Sequence, residues 1–479
     1  MPELGHQSQP KNTNSYLTLA LVFGVVLLIY RLVALYLTAP GLFFDEAYYY
    51  GWSQTPDWGY YSKPPVVAWI IFIATELFGK SEFTVKLAAP ILHTCTALVI
   101  YFIGQRLHSA KAGFYAFLTF LTMPFIGLES WFITTDAPLL LCWSLLLFFY
   151  LRAIETNHWK DWILGGVFGG LGLLSKYTMA LFPIAILFYF VATLHFHQFK
   201  NLRFWALVLI TAIIFLPNMV WNYQYGFPSI MHTLDLAGVR EKQGNPIEFF
   251  LGQFLVFGPI AFALLLSWLH PKKYKTMPLA VSLALIPIIL LFLQSFRNEA
   301  YVNWAAMGYV AGSVLAGISF TTFKPRLFKL SIGINVLAML IFYHFTALAN
   351  FAGINLTSNT TPYARVDGWR ELGEYSNQLA KAYPDHVFVS TRRNINSYLS
   401  FYLDDTLSVR TINPSEPPAD HYGLKYVISD NEKRAILVLP SRISESVYAQ
   451  FDEVEQLSEL RINRYGQEST YYYYRAIRY

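Results

Sequence analysis

Acidic and basic side chains are concentrated in a few segments of a chain that is otherwise strongly apolar. Asp45 and Glu46 are adjacent, and Lys63 stands about 18 residues later, directly before Pro64 and Pro65. Adjacent carboxylates suit general-base chemistry because the charge of one tunes the other. A lysine before two prolines is held by a stiff backbone. The pattern predicts proton abstraction near a fixed positive charge, although Asp45 could instead only cap a helix.

Further charged groups follow in later segments between apolar runs. Asp136 opens one apolar run, Lys176 lies between two others, and a polar segment contains His232 and Arg240, while Arg297 precedes a late run. Simpler structural explanations stay open for several of them. An aspartate can cap a helix, a lysine can reach lipid headgroups, and a single histidine is usually just hydrogen-bonded.

Taken together, a carboxylate base and several cations favour the attack of a hydroxyl with departure of a phosphate, whose developing charge the cations would stabilise. No nucleotide-binding P-loop is present: the glycines of residues 165–172 lie within an apolar run and follow no strand, so they indicate close helix packing. The phosphate donor is therefore predicted to be lipid-linked.

The composition indicates a membrane protein. Of 479 residues, 55% are hydrophobic and only 14% are charged, whereas soluble domains carry about 25% charged residues. These values exclude disordered, collagenous, coiled-coil and disulfide-rich secreted proteins. The net charge of +5 is small for this length and predicts no nucleic-acid partner. We expect a monomer.

Apolar runs predict about eleven transmembrane helices, near residues 16–38, 84–104, 112–127, 137–151, 162–174, 177–195, 203–220, 248–269, 278–293, 301–320 and 327–349. Lysine and arginine gather in alternate loops, which the positive-inside rule assigns to the cytoplasm. The acidic pair, Lys63, Asp136, Arg240 and Arg297 then lie on the outer side. Residues 1–350 form the membrane domain, and the more polar residues 351–479 are predicted to form a small outer α/β domain.

Several motifs resemble the GT-C class of integral membrane glycosyltransferases, and its bacterial protein O-mannosyltransferase-like branch that includes lipid A aminoarabinose transferase. They are Asp45-Glu46, Lys63-Pro64-Pro65, Thr135-Asp136-Ala-Pro-Leu, Gly172-Leu-Leu-Ser-Lys176, Trp221-Asn…Gly226-Phe-Pro-Ser…His232, Asn303-Trp304 and Gly368-Trp369-Arg370-Glu371. The resemblance implies an undecaprenyl-phosphate-type sugar donor, transfer at the periplasmic face of the bacterial inner membrane, and a lipid or glycan acceptor such as lipid A or lipopolysaccharide.

On this resemblance we expect an inverting transferase with Asp45, Glu46 and Asp136 as catalytic groups. Lys63, Lys176, Arg240 and Arg297 would bind the donor phosphate, and Tyr60, Tyr61 and His232 would contact the substrates. Ser62 stands where the aminoarabinose transferases have an acidic residue, so a divalent metal is left undecided. The Trp-Trp-Asp motif of oligosaccharyltransferases is absent from the sequence.

Two other functions are compatible with parts of the sequence. A secondary transporter would also place charges among membrane helices, but such proteins often have two related halves, and the sequence has none. A polysaccharide polymerase or ligase would use a similar donor, but usually lacks this Asp-Glu segment.

Overall fold

A computed structural model describes residues 13–238, 244–322, 324–405, 408–412, 415 and 417–479. The predicted phosphate ligand Arg240 lies outside these residues. The described chain has a helical part that extends to Phe351 and a mixed α/β part that follows it.

The helical part begins at Thr13. Its α-helices are α1 Thr13–Thr38, α2 Phe44–Ser53, α3 Val66–Phe78, α4 Glu82–Lys86, α5 Ala88–Leu107, α6 Ala110–Thr122, α7 Pro124–Glu129, α8 Asp136–Thr156, α9 Trp159–Ser175, α10 Leu181–Thr193, α11 Leu202–Gln224, α12 Pro228–Gly238, α13 Pro246–Phe257, α14 Pro259–Leu266, α15 Pro271–Tyr274, α16 Pro278–Gln294, α17 Gly308–Thr322, α18 Pro325–Tyr343 and α19 Phe345–Phe351. Short 3₁₀ helices cover Tyr177–Ala180, Phe196–Lys200, Ser267–Leu269 and Val302–Ala305.

Each of the eleven predicted apolar segments is helical. By length and composition, five helices can cross a membrane: α1, the continuous stretch Glu82–Leu107, α8, α11 and α18. The bent pair Pro246–Phe257 and Pro259–Leu269 turns by 116° and could form a sixth crossing. The bend falls at Gly258, whose φ of 95° favours glycine. The remaining segments are helices or helix pairs too short to meet the same criterion.

One apolar helix was not predicted. Helix α3 lies within the segment 39–83, which the sequence assigned to an outer loop. Its 13 residues are fewer than the roughly 20 that a crossing needs, so hydrophobicity alone did not identify it.

The glycine-rich stretch packs as predicted. A Cβ on Gly166 would lie 2.8 Å from Ile210, and one on Gly170 would lie 2.6 Å from Ile214. Helices α9 and α11 therefore approach closely because the glycines have no side chain.

The C-terminal part is the predicted α/β domain. It consists of α20 Trp369–Ala382, β1 Val387–Ser390, α21 Arg393–Tyr402, β2 Val409–Thr411, α22 His421–Lys425, β3 Arg434–Leu439, α23 Glu445–Tyr448, β4 Glu453–Arg464 and β5 Gln467–Ile477. The sheet order is β2-β1-β3-β5-β4. Strand β1 runs parallel to β2 and β3, while β4 and β5 form an antiparallel hairpin that joins β3 through β5.

Helix α2 attaches this domain to the membrane helices. Its aromatic residues share one buried core with the α/β domain. The Tyr48 ring stacks on Tyr422 with centroids 5.8 Å apart, and the Tyr48 hydroxyl accepts a 2.6 Å hydrogen bond from the His421 amide. The packing places the start of α21 against the acidic pair in the first turn of α2.

Candidate active site

Asp45 lies in the first turn of α2 and has no hydrogen bond or ion pair within the described part of the chain. Phe43 occupies the N-cap position, so Asp45 does not cap the helix. Burial raises the pKa of Asp45, and the positive charges of Lys63 and Arg393 oppose this rise. A partly buried carboxylate with free oxygens suits proton transfer.

Glu46 has a different environment, although it is the next residue. It is buried and forms an ion pair with the buried Lys86 of α4. Its oxygens also accept hydrogen bonds from the amides of Phe43 at 2.8 Å and Ile133 at 2.9 Å. Because these contacts occupy both carboxylate oxygens, Glu46 connects α2, α4 and the segment before α8. The contacts favour a structural role over the predicted catalytic one.

Lys63 is positioned by a loop that is attached to α11. Asn218 donates a 2.7 Å hydrogen bond to the Trp58 carbonyl oxygen, and the Trp221 indole donates a 2.9 Å bond to Asp57. Gly59 lies against Trp221, where an added Cβ would come within 2.5 Å of the ring. The absence of a side chain at Gly59 therefore lets the loop approach α11.

Lys63 is partly buried, and its ammonium group has no hydrogen-bond partner among the described residues. Burial lowers the pKa of Lys63; Lys176 and Arg393 lower it too, while Asp45 and Asp136 oppose the shift. An ammonium group held near another cation without a paired anion is suited to bind an anionic ligand.

Asp136 and Lys176 form an ion pair. The Lys176 Nζ lies 2.8 Å from Asp136 Oδ1 and 2.9 Å from Oδ2. Asp136 is the first residue of α8, whose N-cap is Thr135, so it is not the cap. Glu129 lies nearby, and burial together with the Asp136 charge raises its pKa. The Thr134 hydroxyl donates a hydrogen bond to Glu129. The pair therefore holds the Lys176 ammonium at a defined place.

A cavity of about 230 Å³ contains both lysines. Lys63 and Lys176 line it together with Thr178, Gln294 and Trp304. The Thr178 hydroxyl and the Gln294 amide nitrogen are buried and have no partner in the described chain. Unpaired buried donors are costly, so the unpaired Lys63 and two free donors, beside the ion-paired Lys176, have the chemistry to bind an oxyanion such as phosphate.

An apolar cavity of about 310 Å³ adjoins the first one. Ala180 lines both cavities, and Met179 and Phe182 continue along the wall of the second. The second cavity lies among α8 to α11 and is lined by apolar side chains apart from Thr211 and Tyr150. The two cavities therefore share Ala180 as a lining residue, one with polar groups and the other almost wholly apolar.

The remaining predicted residues occupy different surroundings. Tyr60 is fully buried and stacks on Trp52 with centroids 4.9 Å apart, so a substrate contact by Tyr60 is not favoured. Tyr61 is half-buried, and its ring lies 5.8 Å from that of His232. Arg297 is exposed, three residues after the cavity residue Gln294.

Four residues of this region were not predicted as site residues from the sequence. Arg393 comes from the α/β domain, Glu129 ends α7, and Thr178 and Gln294 line the cavity. Glu129 could have been predicted, because an ionisable residue at the end of an apolar run is costly in a membrane and indicates a partner or a function. The other three are ordinary residues in the sequence and became identifiable only through their neighbours in space.

The described residues include no group of three or more His, Cys, Asp or Glu side chains that could hold a metal ion. The side chain of Ser62 lies in the cavity wall beside Lys63 and offers only a hydroxyl. The described residues around Lys63 therefore do not match a metal-binding site of that kind.

A family model described as dolichyl-phosphate-mannose-protein mannosyltransferase matches residues 62–221. The lipid A galacturonosyltransferase RgtD of Rhizobium johnstonii is 29% identical over 436 residues, which cover 88% of this chain and 90% of the relative. Undecaprenyl phosphate-alpha-4-amino-4-deoxy-L-arabinose arabinosyl transferase 2 of Proteus mirabilis is 22% identical over 268 residues, covering 51% of this chain and 48% of that protein.

Solved structures show the same fold. ArnT from Cupriavidus metallidurans, solved in the apo state and bound to undecaprenyl phosphate, matches with TM-scores of 0.65 and 0.66 at 16% identity. Both matches cover 94% of this chain and 97% of ArnT.

The chain is an integral membrane glycosyltransferase that has the GT-C fold and a small C-terminal α/β domain, as the sequence predicted. It is similar to bacterial enzymes named as a lipid A galacturonosyltransferase and an arabinosyl transferase, and the name of the latter includes an undecaprenyl-phosphate-linked sugar.

Proposed function

We propose that the enzyme transfers a sugar from an undecaprenyl-phosphate-type donor to a hydroxyl of a cell-envelope glycolipid such as lipid A. The observation that carries this proposal is the position of Lys63. Its side chain lines the cavity that also contains Lys176, and it lies close enough to Asp45 for their charges to interact. A phosphate bound by Lys63 would therefore bring the attached sugar near the free carboxylate.

The two adjoining cavities match the two parts of such a donor. Lys63 and Lys176, with Thr178 and Gln294, would bind the phosphate, and the apolar cavity beyond Ala180 would hold part of the polyprenyl chain. The structural similarity to a protein solved with undecaprenyl phosphate supports the donor class. Arg240 and Arg297 remain proposed as additional phosphate ligands, and Tyr61 and His232 as contacts to the sugars.

The reaction proposed is a single displacement with inversion. The acceptor oxygen forms a bond to the anomeric carbon while the bond from that carbon to the phosphate oxygen breaks, and the bonding electron pair leaves with the polyprenyl phosphate. Asp45 takes the proton of the acceptor hydroxyl, and Lys63 and Lys176 stabilise the charge on the departing phosphate.

Two acidic residues support this chemistry indirectly. Asp136 holds Lys176 at the cavity through its ion pair. Glu46 fixes the first turn of α2 through Lys86 and two backbone amides, and therefore acts as a positioning residue for the neighbouring Asp45.

The site is proposed to face the periplasm from the bacterial inner membrane. The loops poor in lysine and arginine contain the site residues, which supports this orientation. Reporter fusions after residues 60, 230 and 360 should report the outer side, and fusions near 108, 156 and 274 the cytoplasm. A cytoplasmic signal from the fusion after residue 360 would contradict the orientation.

Transfer can be measured directly. The purified protein in liposomes should transfer a labelled sugar to lipid A from a synthetic donor in which that sugar is linked to undecaprenyl phosphate. The Lys63→Ala variant should raise the KM for the donor more than that for the acceptor, and Lys160→Ala, at an exposed lysine, is the matched control. Export of the intact labelled lipid without a new glycosidic bond would instead indicate a transporter. A change confined to acceptor kinetics in Lys63→Ala would contradict the phosphate role.

A further inference from the structure

The relatives of this enzyme act on sugars of opposite charge, so similarity alone does not identify the sugar. Three of them are named as galacturonosyltransferases, whose sugar bears a carboxylate. Others are named for 4-amino-4-deoxy-arabinose, whose sugar bears an amine. The side chains around Asp45 show which of these charges the site can accept.

Arg393 is the cation that the α/β domain contributes to this region. It is the first residue of α21 and is partly buried. Its guanidinium carbon lies 4.8 Å from the centroid of the Phe44 ring and 5.4 Å from that of Tyr48. These cation–π contacts hold the guanidinium group beside the first turn of α2, which carries Asp45. A guanidinium group has several N–H donors in one plane and suits a bidentate contact with an oxyanion.

No protein acceptor takes up these N–H groups. Within the described ranges, the Arg393 guanidinium group donates no hydrogen bond and forms no ion pair with a carboxylate at 4 Å or less. Its charge does reach Asp45 and Lys63, since it contributes to the electrostatic environment of both. An arginine held near the proposed base Asp45 and the cavity residue Lys63 can bind a carboxylate with two parallel hydrogen bonds.

The acidic side chains of the region are, by contrast, mostly engaged. Glu46 pairs with Lys86, Asp136 with Lys176, and Asp420 caps α22 by accepting from the Gly423 amide. Among these described carboxylates only Asp45 is unpaired, and the proposed mechanism uses it as the base. Burial raises the pKa of Tyr61, and the charges of Asp420 and Asp235 raise it further, so the preference for a sugar carboxylate rests on the unpaired guanidinium of Arg393.

We propose that Arg393 is a specificity-determining residue that binds the carboxylate of a uronic acid on the lipid-linked donor. This inference rests on the function proposed above and adds the class of sugar. The phosphate would be held by the membrane-domain lysines, and the sugar carboxylate by the α/β domain. Both anionic groups of one donor would then be recognised from two sides of Asp45.

The test compares three donors that share one polyprenyl phosphate: galacturonyl, galactosyl and 4-amino-4-deoxy-arabinosyl. The enzyme should prefer the galacturonyl donor. Arg393→Gln should lower kcat/KM for that donor by roughly ten- to a hundredfold, the usual effect of losing a hydrogen bond to a charged group. Transfer of the neutral galactosyl donor should change by less than about threefold, and Arg393→Lys should retain part of the preference.

Arg392→Gln is the matched control because Arg392 is the preceding residue and is exposed; it should leave the preference unchanged. An equal loss for all donors in Arg393→Gln would overturn the inference, as would a wild-type preference for the amino sugar. A change only in the KM for a phosphorylated acceptor would also overturn it and would assign Arg393 to the acceptor. If the folded wild-type protein transferred none of the three sugars, the proposed function itself would fail.

Discussion

Asp45→Asn and Glu46→Gln should have opposite effects on activity and stability, although the two residues are adjacent. Glu46 is almost fully buried against Lys86, which is itself fully buried. Removing one member of a buried pair leaves an uncompensated charge and typically costs about 3–5 kcal/mol. Asp45 has no protein partner in the described structure, so its amide should fold with nearly unchanged stability.

The expected loss of activity runs the other way. Removing a general base commonly lowers the rate by about 10²–10⁴-fold, so Asp45→Asn should transfer almost no sugar at any temperature. Glu46→Gln should retain transfer at low temperature, where it remains folded, and should lose it on warming.

Two measurements check this pair. Thermal unfolding in detergent, followed by intrinsic fluorescence, gives the loss of stability, and initial rates with a radiolabelled lipid-linked donor give the activity. The double variant Glu46→Gln/Lys86→Met is the control, because removing both charges should recover much of the stability lost by Glu46→Gln alone.

The reasoning would be refuted by a stable but inactive Glu46→Gln together with an unstable or active Asp45→Asn. The first pattern would restore the catalytic role that the sequence suggested for Glu46. The second would remove Asp45 from the mechanism.

Three further predictions concern the pH dependence, the loop and the lipid path. The rate should follow a bell-shaped pH profile. Burial raises the pKa of Asp45, so the base becomes protonated at a higher pH than an ordinary aspartate. Burial lowers the pKa of Lys63, so this lysine loses its proton at a lower pH than an ordinary lysine. A rate that stays constant from the pKa of an ordinary aspartate up to that of an ordinary lysine would contradict both shifts. Gly59→Ala should raise the KM for the donor because its Cβ would lie 2.5 Å from Trp221 and displace the loop; unchanged donor kinetics would show that the loop tolerates the shift. Ala180→Phe should lower kcat/KM for an undecaprenyl donor but not for a donor with a two-isoprene chain. Equal losses for both donors would show that the apolar cavity does not bind the polyprenyl chain.

The pattern of apolar runs determined much of the architecture. All eleven predicted segments are helical, and an α/β domain follows them, as the fold class predicted. These features are local, because apolar runs and alternating strands follow from the solvent around each segment. Helix α3 and the 116° bend at Gly258 escaped prediction because they depend on packing between helices.

The candidate site was only partly predictable for the same reason. Charged residues near apolar runs can be recognised in the sequence, since an ionised group close to the membrane needs a function or a partner. This is how Asp45, Lys63, Asp136 and Lys176 were found. Their partners were not visible, because an ion pair such as Lys176 with Asp136 joins residues that are 40 positions apart.

Tertiary structure alone decided which of two adjacent carboxylates is free. The sequence favoured Asp45 as the base and Glu46 as a group that positions hydroxyls, but it does not show which carboxylate is paired within the protein. In the fold, successive residues of α2 point in different directions, so Glu46 meets Lys86 while Asp45 faces Lys63 and Arg393. Arg393 is nearly 350 positions from Asp45 in the sequence, and it lies near Asp45 because the aromatic side of α2 packs on α21. Burial and charge at a site depend on such long-range contacts, which residue types and local spacing do not encode by themselves.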